Sequence, residues 1–420
     1  MVVLTVGLRL AAMMGHTKAR AAWRGRKGWE ERIASAEQTA RRNGKKGPWM
    51  HIHCASLGEY EQGAPVLDEW RTRNPDTPIL LTFFSPSGVE GVRETHADHV
   101  DYLPFDRPLA MRKWAQALEV SDLILVKYEL WPGLIRSQLD AGTRIHLVAA
   151  RFDHDRHPMG WTGAWMRKHL KRLTTIQVQD EASAIVARSR GVIAEVTGDP
   201  RVDRVRDNVQ SAPPKKAAAA LDQIRVWAGE RRTLIVGSAW PPEWRALCDI
   251  ASTRKGWAVV WAPHEITGRH VDEWAQHPSA VRFSSWNTEA SAPPSSESSI
   301  LILDVMGILK YAYGLADLAV VGGGWGQGVH NVLEPAAFGL PVLFGPSIAG
   351  FREVDALMEC GAGRLCKSAE DLVQGATEWM ENDGSRQKAG SAAARWVDTH
   401  GGAACHIADV IQMAAPTIST

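Results

Sequence analysis

The strongest constraint on this chain is an alternation of short apolar runs with helical stretches, which starts at Trp49 and later starts again. Short apolar runs between helical stretches predict strands of a parallel sheet that is covered on both faces. A Pro pair and a polar run break the pattern at residues 207–220. The predicted strands are Trp49–Cys54, Ile79–Phe83, Leu123–Val126, Ile145–Ala149, Thr175–Val178 and Ala194–Val196, then Thr233–Val236, Ala258–Trp261, Ile300–Leu303, Leu318–Val321 and Pro341–Phe344.

The chain is therefore predicted to hold two doubly wound, Rossmann-like α/β domains, and its 420 residues also favour two domains over one core. We expect a membrane-associating helix at 1–30, a first domain at 31–206, a linker at 207–220 and a second domain at 221–420. Helices are predicted at Gly63–Arg73 and Pro108–Leu118, and an exposed loop at Asn287–Ser299. Ligands of such folds bind beyond the carboxyl ends of the strands, so two facing sheets are expected to form a cleft.

The N-terminus carries an apolar run, Val2–Met14, followed by basic residues. The run is shorter than the roughly 20 residues that span a bilayer, which favours a helix lying in the membrane interface. Lys18, Arg20 and Arg24 would then contact anionic headgroups; the alternative is a helix that only caps the soluble fold. Residues 1–50 have a net charge of +8 and the remainder −7, which favours an anionic surface as partner. The five cysteines form no C-x-x-C pair, which argues against a zinc ribbon.

Three segments of the first half place charged residues just after predicted strands. Glu59 opens the helix after the first strand, where an acid can be a general base or simply a favourable first-turn acid. Lys127 and Glu129 follow the Leu123–Val126 strand and could face one side of an extended segment, as a reactive pair or a solvated salt pair. Arg201, in an Asp-Pro-Arg turn, could bind a phosphate or carboxylate, or it could be a surface arginine of an ordinary turn.

The second half contains a glycine-dense segment, residues 322–335, between the Leu318–Val321 strand and a helix. Its glycines allow close approach of the backbone to a phosphate, and Asn331 and Glu334 share one helical face. It matches neither the dinucleotide fingerprint nor the Walker loop, so a different nucleotide-binding loop is favoured. Ser238, His264 and Gly307 also follow strands of this half, although a lone histidine is more often structural.

Together these segments resemble the family of Kdo (3-deoxy-D-manno-octulosonic acid) transferases, and the likeness runs through nearly the whole chain. The features that carry it are the apolar, basic N-terminus and the motifs Ala55-Ser56-Leu57-Gly58-Glu59, Leu80-Leu81-Thr82 with Ser85-Pro86-Ser87-Gly88, Glu129-Leu130-Trp131-Pro132, Gln179-Asp180-Glu181, Val196-Thr197-Gly198-Asp199, Met306-Gly307, His330-Asn331-Val332-Leu333-Glu334-Pro335 and Pro341-Val342-Leu343-Phe344-Gly345-Pro346. The resemblance implies a GT-B fold, a CMP-Kdo donor and a lipid A precursor as acceptor. It also implies no metal, an N-terminal acceptor domain, a C-terminal donor domain and the cytoplasmic face of the inner membrane.

The resemblance also implies roles for individual residues. Glu59 would be the general base, while Glu129 and Arg201 would support the transition state. Many members carry Arg at position 264, Lys at 201 and an acid at 308, where this chain has His, Arg and Ile. The expected CMP- or donor-binding residues are Ser238, Pro263, His264, Met306, Gly307, Ile308, Gly328, His330, Asn331 and Glu334, with the amides around Gly328–Asn331 on the phosphate.

Two rival interpretations remain at this point. Another GT-B transferase, or an epimerase, would use a UDP-sugar in place of CMP-Kdo. A non-enzymatic protein would use the basic N-terminus to bind a membrane or nucleic acid. Nucleic acid is not expected as a partner, because aromatic and basic residues are not interleaved outside residues 18–50.

Overall fold

The computed structural model describes residues 7, 9, 11, 13–92, 95–254, 256–286 and 298–414. The chain divides into two compact units. The first comprises Met1–Arg204 with Gly401–Thr420, and the second comprises Val205–His400. Each unit contains a seven-stranded sheet in which neighbouring strands are parallel. The predicted α/β class is thereby confirmed for both halves.

The strands of the first unit are β1 (Trp49–Cys54), β2 (Ile79–Phe83), β3 (His99–Tyr102), β4 (Val120–Val126), β5 (Arg144–Ala150), β6 (Thr175–Val178) and β7 (Glu195–Val196). They lie in the order β3-β2-β1-β4-β5-β6-β7. Strands β1 and β2 are buried along their whole length, because helices cover both faces of a parallel sheet. The helices are α1 (Thr17–Gly25), α2 (Trp29–Arg42), α3 (Leu57–Arg73), α4 (Pro86–Gly91), α5 (Pro108–Ala117), α6 (Pro132–Asp140), α7 (Ala164–Leu170), α8 (Glu181–Ser189) and α9 (Pro200–Gln210), which runs on into the second unit.

The basic N-terminal segment is partly structural. The Arg26 side chain is buried, and its guanidinium donates to the carbonyls of Ala22, Phe84 and Leu103. Lys18, Arg20 and Arg24 are exposed, as contact with headgroups would require. Most of the predicted interfacial run Val2–Met14, namely residues 2–6, 8, 10 and 12, lies outside the described residues. Among the described residues, no helix is long and apolar enough to cross a bilayer.

The strands of the second unit are β8 (Arg232–Ala239), β9 (Trp257–Pro263), β10 (Ala280–Arg282), β11 (Ile300–Ile302), β12 (Leu318–Val321), β13 (Val342–Phe344) and β14 (Gly363–Leu365). They lie in the order β10-β11-β9-β8-β12-β13-β14. Its helices are α10 (Lys215–Ala228), α11 (Pro241–Thr253), α12 (Arg269–Trp274), α13 (Phe283–Trp286), α14 (Leu309–Ala312), α15 (Leu333–Ala337), α16 (Arg352–Glu359), α17 (Ala369–Glu381) and α18 (Asp383–His400).

Every predicted strand overlaps an observed one, but the sequence analysis missed β3, β10 and β14. All three lie at the edge of their sheet. Their residues are largely half-buried, so they lack the continuous apolar run by which the other strands were recognised. Residues 287–297 of the predicted exposed loop lie outside the described residues.

The chain also departs from the expected domain limits. Residues 401–420 were expected in the second domain, but the last helix, α19 (Ala403–Met413), packs on α3 of the first unit. Asp203 holds its start, because the carboxylate accepts N–H bonds from Gly402 and Ala404. The expected linker is also mostly helical, since α9 ends at Gln210 and α10 begins at Lys215.

Candidate active site

The two acids singled out in the first half follow neighbouring central strands. Strand β1 pairs with β4, and His53 lies opposite Leu125 near the carboxyl ends of both. Glu59 lies in the first turn of α3 just after β1, and Glu129 follows the end of β4. The structure therefore brings Glu59 and Glu129 to the carboxyl ends of two neighbouring strands, where ligands of doubly wound folds bind.

Glu59 is held in a partly buried position with an altered protonation equilibrium. Its Oε2 accepts the Ala55 N–H at 2.5 Å. Burial, and next the negative charge of Glu129, raise the pKa of Glu59 to about 7, against the smaller opposing effects of the Ala55 N–H and of Lys127. A carboxyl group with a pKa near neutrality can both take up and release a proton at cellular pH, as a general base must.

Glu129 is almost fully buried, with 7% of its surface exposed. Its Oε2 accepts the indole N–H of Trp131 at 2.5 Å and lies 3.3 Å from His53 Nε2, which is not aligned for a hydrogen bond. The Trp131 ring in turn stacks on Phe84, with ring centroids 5.0 Å apart. The Glu129 carboxylate is thus fixed in place by aromatic packing.

A buried polar chain behind Glu129 was missed by the sequence analysis. The Thr82 hydroxyl lies 2.9 Å from His53 Nδ1 and 2.7 Å from His51 Nε2, so it links both imidazoles. Burial, with a smaller contribution from His53, lowers the pKa of His51 well below its usual value. The signal was present in the sequence, since two histidines two apart on a strand point to one face.

The expected extended arrangement of Lys127 and Glu129 is wrong. Lys127 has a left-handed backbone with φ of 63°, so the chain turns there instead of running straight. Its N–H donates to the Val148 carbonyl at 2.9 Å, which holds the turn against β5. Positive φ in a non-glycine residue is uncommon, and such strain clusters at functional sites.

Arg201 lies at a different place on the first unit. It follows the edge strand β7 at the start of α9, whereas Glu59 and Glu129 follow the central strands. Its guanidinium binds the Asp199 carboxylate, with Nη2 2.6 Å and Nε 2.9 Å from Oδ2. The role of Arg201 in the transition state stays a prediction.

In the second unit the glycine-dense segment forms a tightly folded loop. A Cβ at Gly322 would lie 2.3 Å from the Ser238 carbonyl oxygen, and one at Gly324 would lie 2.5 Å from the Gly345 backbone. Gly323 and Gly328 have φ of +87° and +102°, which L side chains rarely adopt. Gly322 and Gly324 are therefore required for the loop to pack on the end of β8 and on the turn after β13.

The loop's own carbonyls and Ser347 already use much of its hydrogen-bonding capacity. The N–H groups of Gly328 and His330 donate to Gly323 and Gly322, and the Val329 N–H donates to Ser347. The helix after the loop has only the five residues Leu333–Ala337. The expectation that the amides around Gly328–Asn331 hold a phosphate is therefore wrong for Gly328, Val329 and His330 in this conformation.

Three aromatic rings lie together beside the loop. The His264 ring stacks on Trp240 and on His330, with centroids 4.7 and 4.4 Å apart and interplanar angles of 21° and 18°. Trp240 Nε1 donates to His330 Nε2 at 3.2 Å. Burial, and next the proximity of His264, lower the pKa of His330. The structure thus joins two predicted donor residues and adds Trp240, which the sequence analysis did not identify.

Asn331 and Glu334 share one side of the loop's helical end, as predicted. Asn331 Nδ2 donates to Glu334 Oε1 at 3.2 Å, while Asn331 Oδ1 accepts the Leu333 N–H at 3.1 Å. Glu334 also lies near the buried Tyr313, whose pKa is raised well above its usual value, mainly by burial and further by Glu334. The Asn331–Glu334 pair is held in a fixed geometry.

The remaining predicted donor residues differ in accessibility. Ser238 has a left-handed backbone with φ of 49°, and Gly307 has φ of +83° with open space where a Cβ would lie. Met306 is 74% exposed and Pro263 is buried at the end of β9. The Ile308 side chain is 4% exposed and packs in the core, so the position where an acid was noted in relatives presents no side chain to a ligand here.

Two parallel doubly wound units, each with polar residues after the carboxyl ends of its strands, are the architecture of the GT-B fold. Residues 27–204 match the family described as 3-deoxy-D-manno-octulosonic-acid transferase (kdotransferase). The chain is 27% identical over 394 residues to the transferase of that name from Bordetella pertussis, covering 86% of both chains. It is 25% identical over 365 residues to that of Chlamydia trachomatis serovar A, covering 81% of this chain and 80% of the relative. The chain is thus similar to Kdo transferases over more than four fifths of its length, and its first unit matches their family model.

Among solved structures, the chain is similar to UDP-GlcNAc 2-epimerase from Neisseria meningitidis. The TM-score is 0.65 at 12% identity, covering 87% of this chain and 99% of the epimerase. Identity this low shows a shared fold alone. The expected GT-B fold is confirmed.

Glu59→Gln is expected to stabilise the protein above pH 7. The pKa of Glu59 is about 7 in the folded chain, against about 4.3 for an unfolded glutamate. A raised folded pKa contributes stability that is complete below the unfolded value and is lost as the pH rises through the folded value. Because Gln mimics the protonated acid, the free energy of unfolding of the variant should match wild type near pH 4 and exceed it by about 3–4 kcal/mol at pH 8.

Urea denaturation at both pH values measures this difference. Glu61→Gln is the matched control on the same helix, since Glu61 is exposed and its carboxylate lies 3.4 Å from Arg204 Nε. Loss of such a surface pair changes stability by less than about 1 kcal/mol. A Glu59→Gln variant less stable than wild type at pH 8 would show that Glu59 acts only as a helix-stabilising acid.

Gly322→Ala is expected to destabilise the second unit by about 1–3 kcal/mol, because the new Cβ would clash with backbone atoms that have little room to move. Gly326→Ala is the matched control in the same loop, since no heavy atom lies within 4 Å of its Cβ position. It should change stability by less than about 0.5 kcal/mol. Thermal denaturation followed by circular dichroism compares the two; equal melting temperatures would contradict the packing role of Gly322.

Proposed function

We propose that this chain transfers Kdo from CMP-Kdo to a hydroxyl group of a lipid A precursor. The observation that carries the proposal is the Glu59 carboxyl group, which lies at the ligand-binding edge of the first sheet with a pKa of about 7. A base with this pKa is about half ionised at neutral pH and accepts a proton as an alcohol attacks. The similarity to Kdo transferases supports the sugar and its acceptor.

The proposed reaction is a single displacement at the anomeric carbon of Kdo. The acceptor oxygen forms the new bond to that carbon while the bond from the carbon to the CMP phosphate oxygen breaks. The phosphate leaves with the electron pair, and the proton of the acceptor hydroxyl passes to Glu59. No oxidant, reductant or further co-reactant is needed.

Glu129 is proposed to act in the same step without taking the proton. Positive charge develops at the anomeric carbon as CMP departs, and a fixed carboxylate stabilises such charge. The Trp131 bond and the burial of Glu129 hold this carboxylate in place before the reaction begins. Its negative charge also raises the pKa of Glu59, which makes Glu59 a stronger base.

The donor is proposed to bind on the second unit. Asn331, Glu334 and the exposed His264 are presented by the turns that follow β12 and β9. These segments lie at the carboxyl ends of β9 and β12, the two strands that flank β8 in the sheet, where nucleotides bind in doubly wound folds. Arg201 is proposed to assist the transition state from the first unit.

Replacement of Glu59 by Gln is expected to lower the turnover number by about 10²–10⁴-fold, the range usual for general bases. Binding of CMP-Kdo should change little, because the substitution keeps the size of the side chain. Incubation with CMP-Kdo and the lipid precursor, followed by mass spectrometry, measures transfer, and calorimetry measures donor binding. Glu61→Gln again serves as the control and should retain full turnover.

A donor screen distinguishes this function from its rival. Wild-type protein that binds UDP-GlcNAc but not CMP or CMP-Kdo would favour a UDP-sugar enzyme. Full turnover in the Glu59→Gln variant would instead support the transferase function and contradict the role of Glu59 as the general base.

The enzyme is further proposed to work at the cytoplasmic face of the inner membrane, bound to anionic lipid. A groove of about 620 Å³ on the first unit is lined by Arg112, Arg136 and Trp165, among others. Close to it in the chain, Trp161 is 90% exposed and Leu109 is 76% exposed. Exposed tryptophan beside arginine is typical of surfaces that sit in the headgroup region.

The double variant Trp161→Ser/Trp165→Ser is expected to bind phosphatidylglycerol vesicles about ten-fold more weakly than wild type, because each exposed indole would lose apolar burial. Co-sedimentation with vesicles of phosphatidylglycerol and of phosphatidylcholine measures this. Ile193→Ser is the control, since Ile193 is 94% exposed elsewhere on the first unit. Equal vesicle binding by both variants would remove these tryptophans from the membrane contact.

A further inference from the structure

The three rings of the second unit have a more specific arrangement than a simple stack. Trp240 and His330 are both nearly parallel to His264 and both lie within 4.7 Å of it, centroid to centroid. They also meet edge to edge, since Trp240 Nε1 lies 3.2 Å from His330 Nε2. Rings on opposite faces of His264 could not come this close, so Trp240 and His330 lie side by side and His264 covers both.

The direction of the Trp240–His330 hydrogen bond follows from chemistry. An indole N–H can only donate, so His330 Nε2 must accept with its lone pair. A histidine that accepts at Nε2 is neutral and carries its proton on Nδ1. The indole therefore selects one of the two neutral tautomers of His330.

The packing of His330 shows which edge of its ring faces the protein. A Cβ at Gly323 would lie 2.9 Å from His330 Cδ2 and 3.0 Å from Nε2, so this edge faces the protein. The His330 N–H donates to the Gly322 carbonyl at 3.2 Å, which anchors the residue. In the described part of the chain, Nδ1 makes no hydrogen bond, and it is not among the buried unpaired atoms. The Nδ1–H is thus left for a ligand.

A buried acid holds the two partners together. Glu243 is fully buried, and its carboxylate accepts the backbone N–H of Trp240 at 3.0 Å and the backbone N–H of Gly323 at 2.8 Å. One side chain therefore fixes the start of α11 against the glycine-rich loop. This clamp sets the distance across which the indole reaches the imidazole.

We propose that Trp240 is a positioning residue that holds His330 in the Nδ1–H tautomer, so that this N–H donates to an anionic oxygen of the sugar-nucleotide donor. The inference rests on the proposed function for the identity of the ligand. The oxygen belongs to the phosphate or to the sugar carboxylate, which share the same acceptor chemistry. A locked tautomer needs no proton rearrangement before the donor binds, which is a form of preorganisation.

The tautomer itself is tested without any ligand. Long-range ¹H–¹⁵N spectra of protein labelled on histidine nitrogens distinguish Nδ1–H from Nε2–H rings, and His330→Asn identifies the His330 signals by their loss. Wild type should show the Nδ1–H pattern, and Trp240→Phe should shift His330 toward the Nε2–H form. A Nε2–H pattern in wild type would overturn the proposal.

The effect on the donor is tested by calorimetry with cytidine, CMP and CMP-Kdo. Trp240→Phe should weaken binding about three- to ten-fold, the loss expected when one hydrogen bond is no longer prepared. A loss for CMP but not for cytidine assigns the bond to the phosphate. A loss for CMP-Kdo alone assigns it to the sugar carboxylate. Equal losses for all three ligands, or none, would overturn the proposal.

Two further variants separate positioning from folding. Trp244→Phe makes the same change one turn along α11, where the ring packs on Trp261 and Trp274, and it should leave donor affinity and the His330 tautomer unchanged. His330→Asn places an amide N–H near the Nδ1 position, whereas His330→Gln places its amide near Nε2. The Asn variant should bind the donor more tightly than the Gln variant, and the reverse order would overturn the proposal.

Failure of the inference and failure of the proposed function give different results. Wild-type protein that binds neither CMP nor CMP-Kdo would overturn the function and the ligand, while the spectra would still report the tautomer. Wild type that binds both, together with a Trp240→Phe variant of equal affinity, would overturn the inference alone.

Discussion

Parallel strand order is the constraint on which the rest of this structure depends. Because every strand of a parallel sheet runs the same way, residues distant in sequence arrive at one edge. The pairing of β1 with β4 places the segments that carry Glu59 and Glu129 next to each other. The proximity raises the pKa of Glu59 through the negative charge of Glu129, on top of the larger effect of burial. The chemistry of the first unit thus follows from strand register.

Buried carboxylates serve opposite purposes in the two units. Glu243 accepts backbone N–H groups on both oxygens and has no exposure to solvent, so it acts as a clamp between segments. Glu59 accepts one backbone N–H, lies beside a second acid and keeps part of its surface exposed. Burial raises the pKa of both acids. Glu243 is matched by two backbone N–H donors, whereas Glu59 lies beside a second acid, an arrangement typical of groups at functional sites.

The glycine-rich loop shows how a correct motif can mislead about detail. Its glycines were expected to expose amides to a phosphate. Positions 322 and 324 instead require glycine because neighbouring backbone leaves no room for a Cβ atom. Gly328 and His330 donate their N–H groups within the loop. What the loop offers a ligand is a set of positioned side chains, with His330 oriented by Trp240.

The sequence alone determined the strand–helix alternation, the α/β class of both halves and the positions of Glu59 and Glu129, because these depend on local apolar patterns and nearby turns. It could not reveal the edge strand β3, whose half-buried residues follow no apolar pattern. Only the tertiary structure joined Trp240 to His330 across 90 residues and returned α19 to the first unit. Such contacts depend on how whole elements pack, and no local pattern records which distant side chain will fill the space beside a given ring.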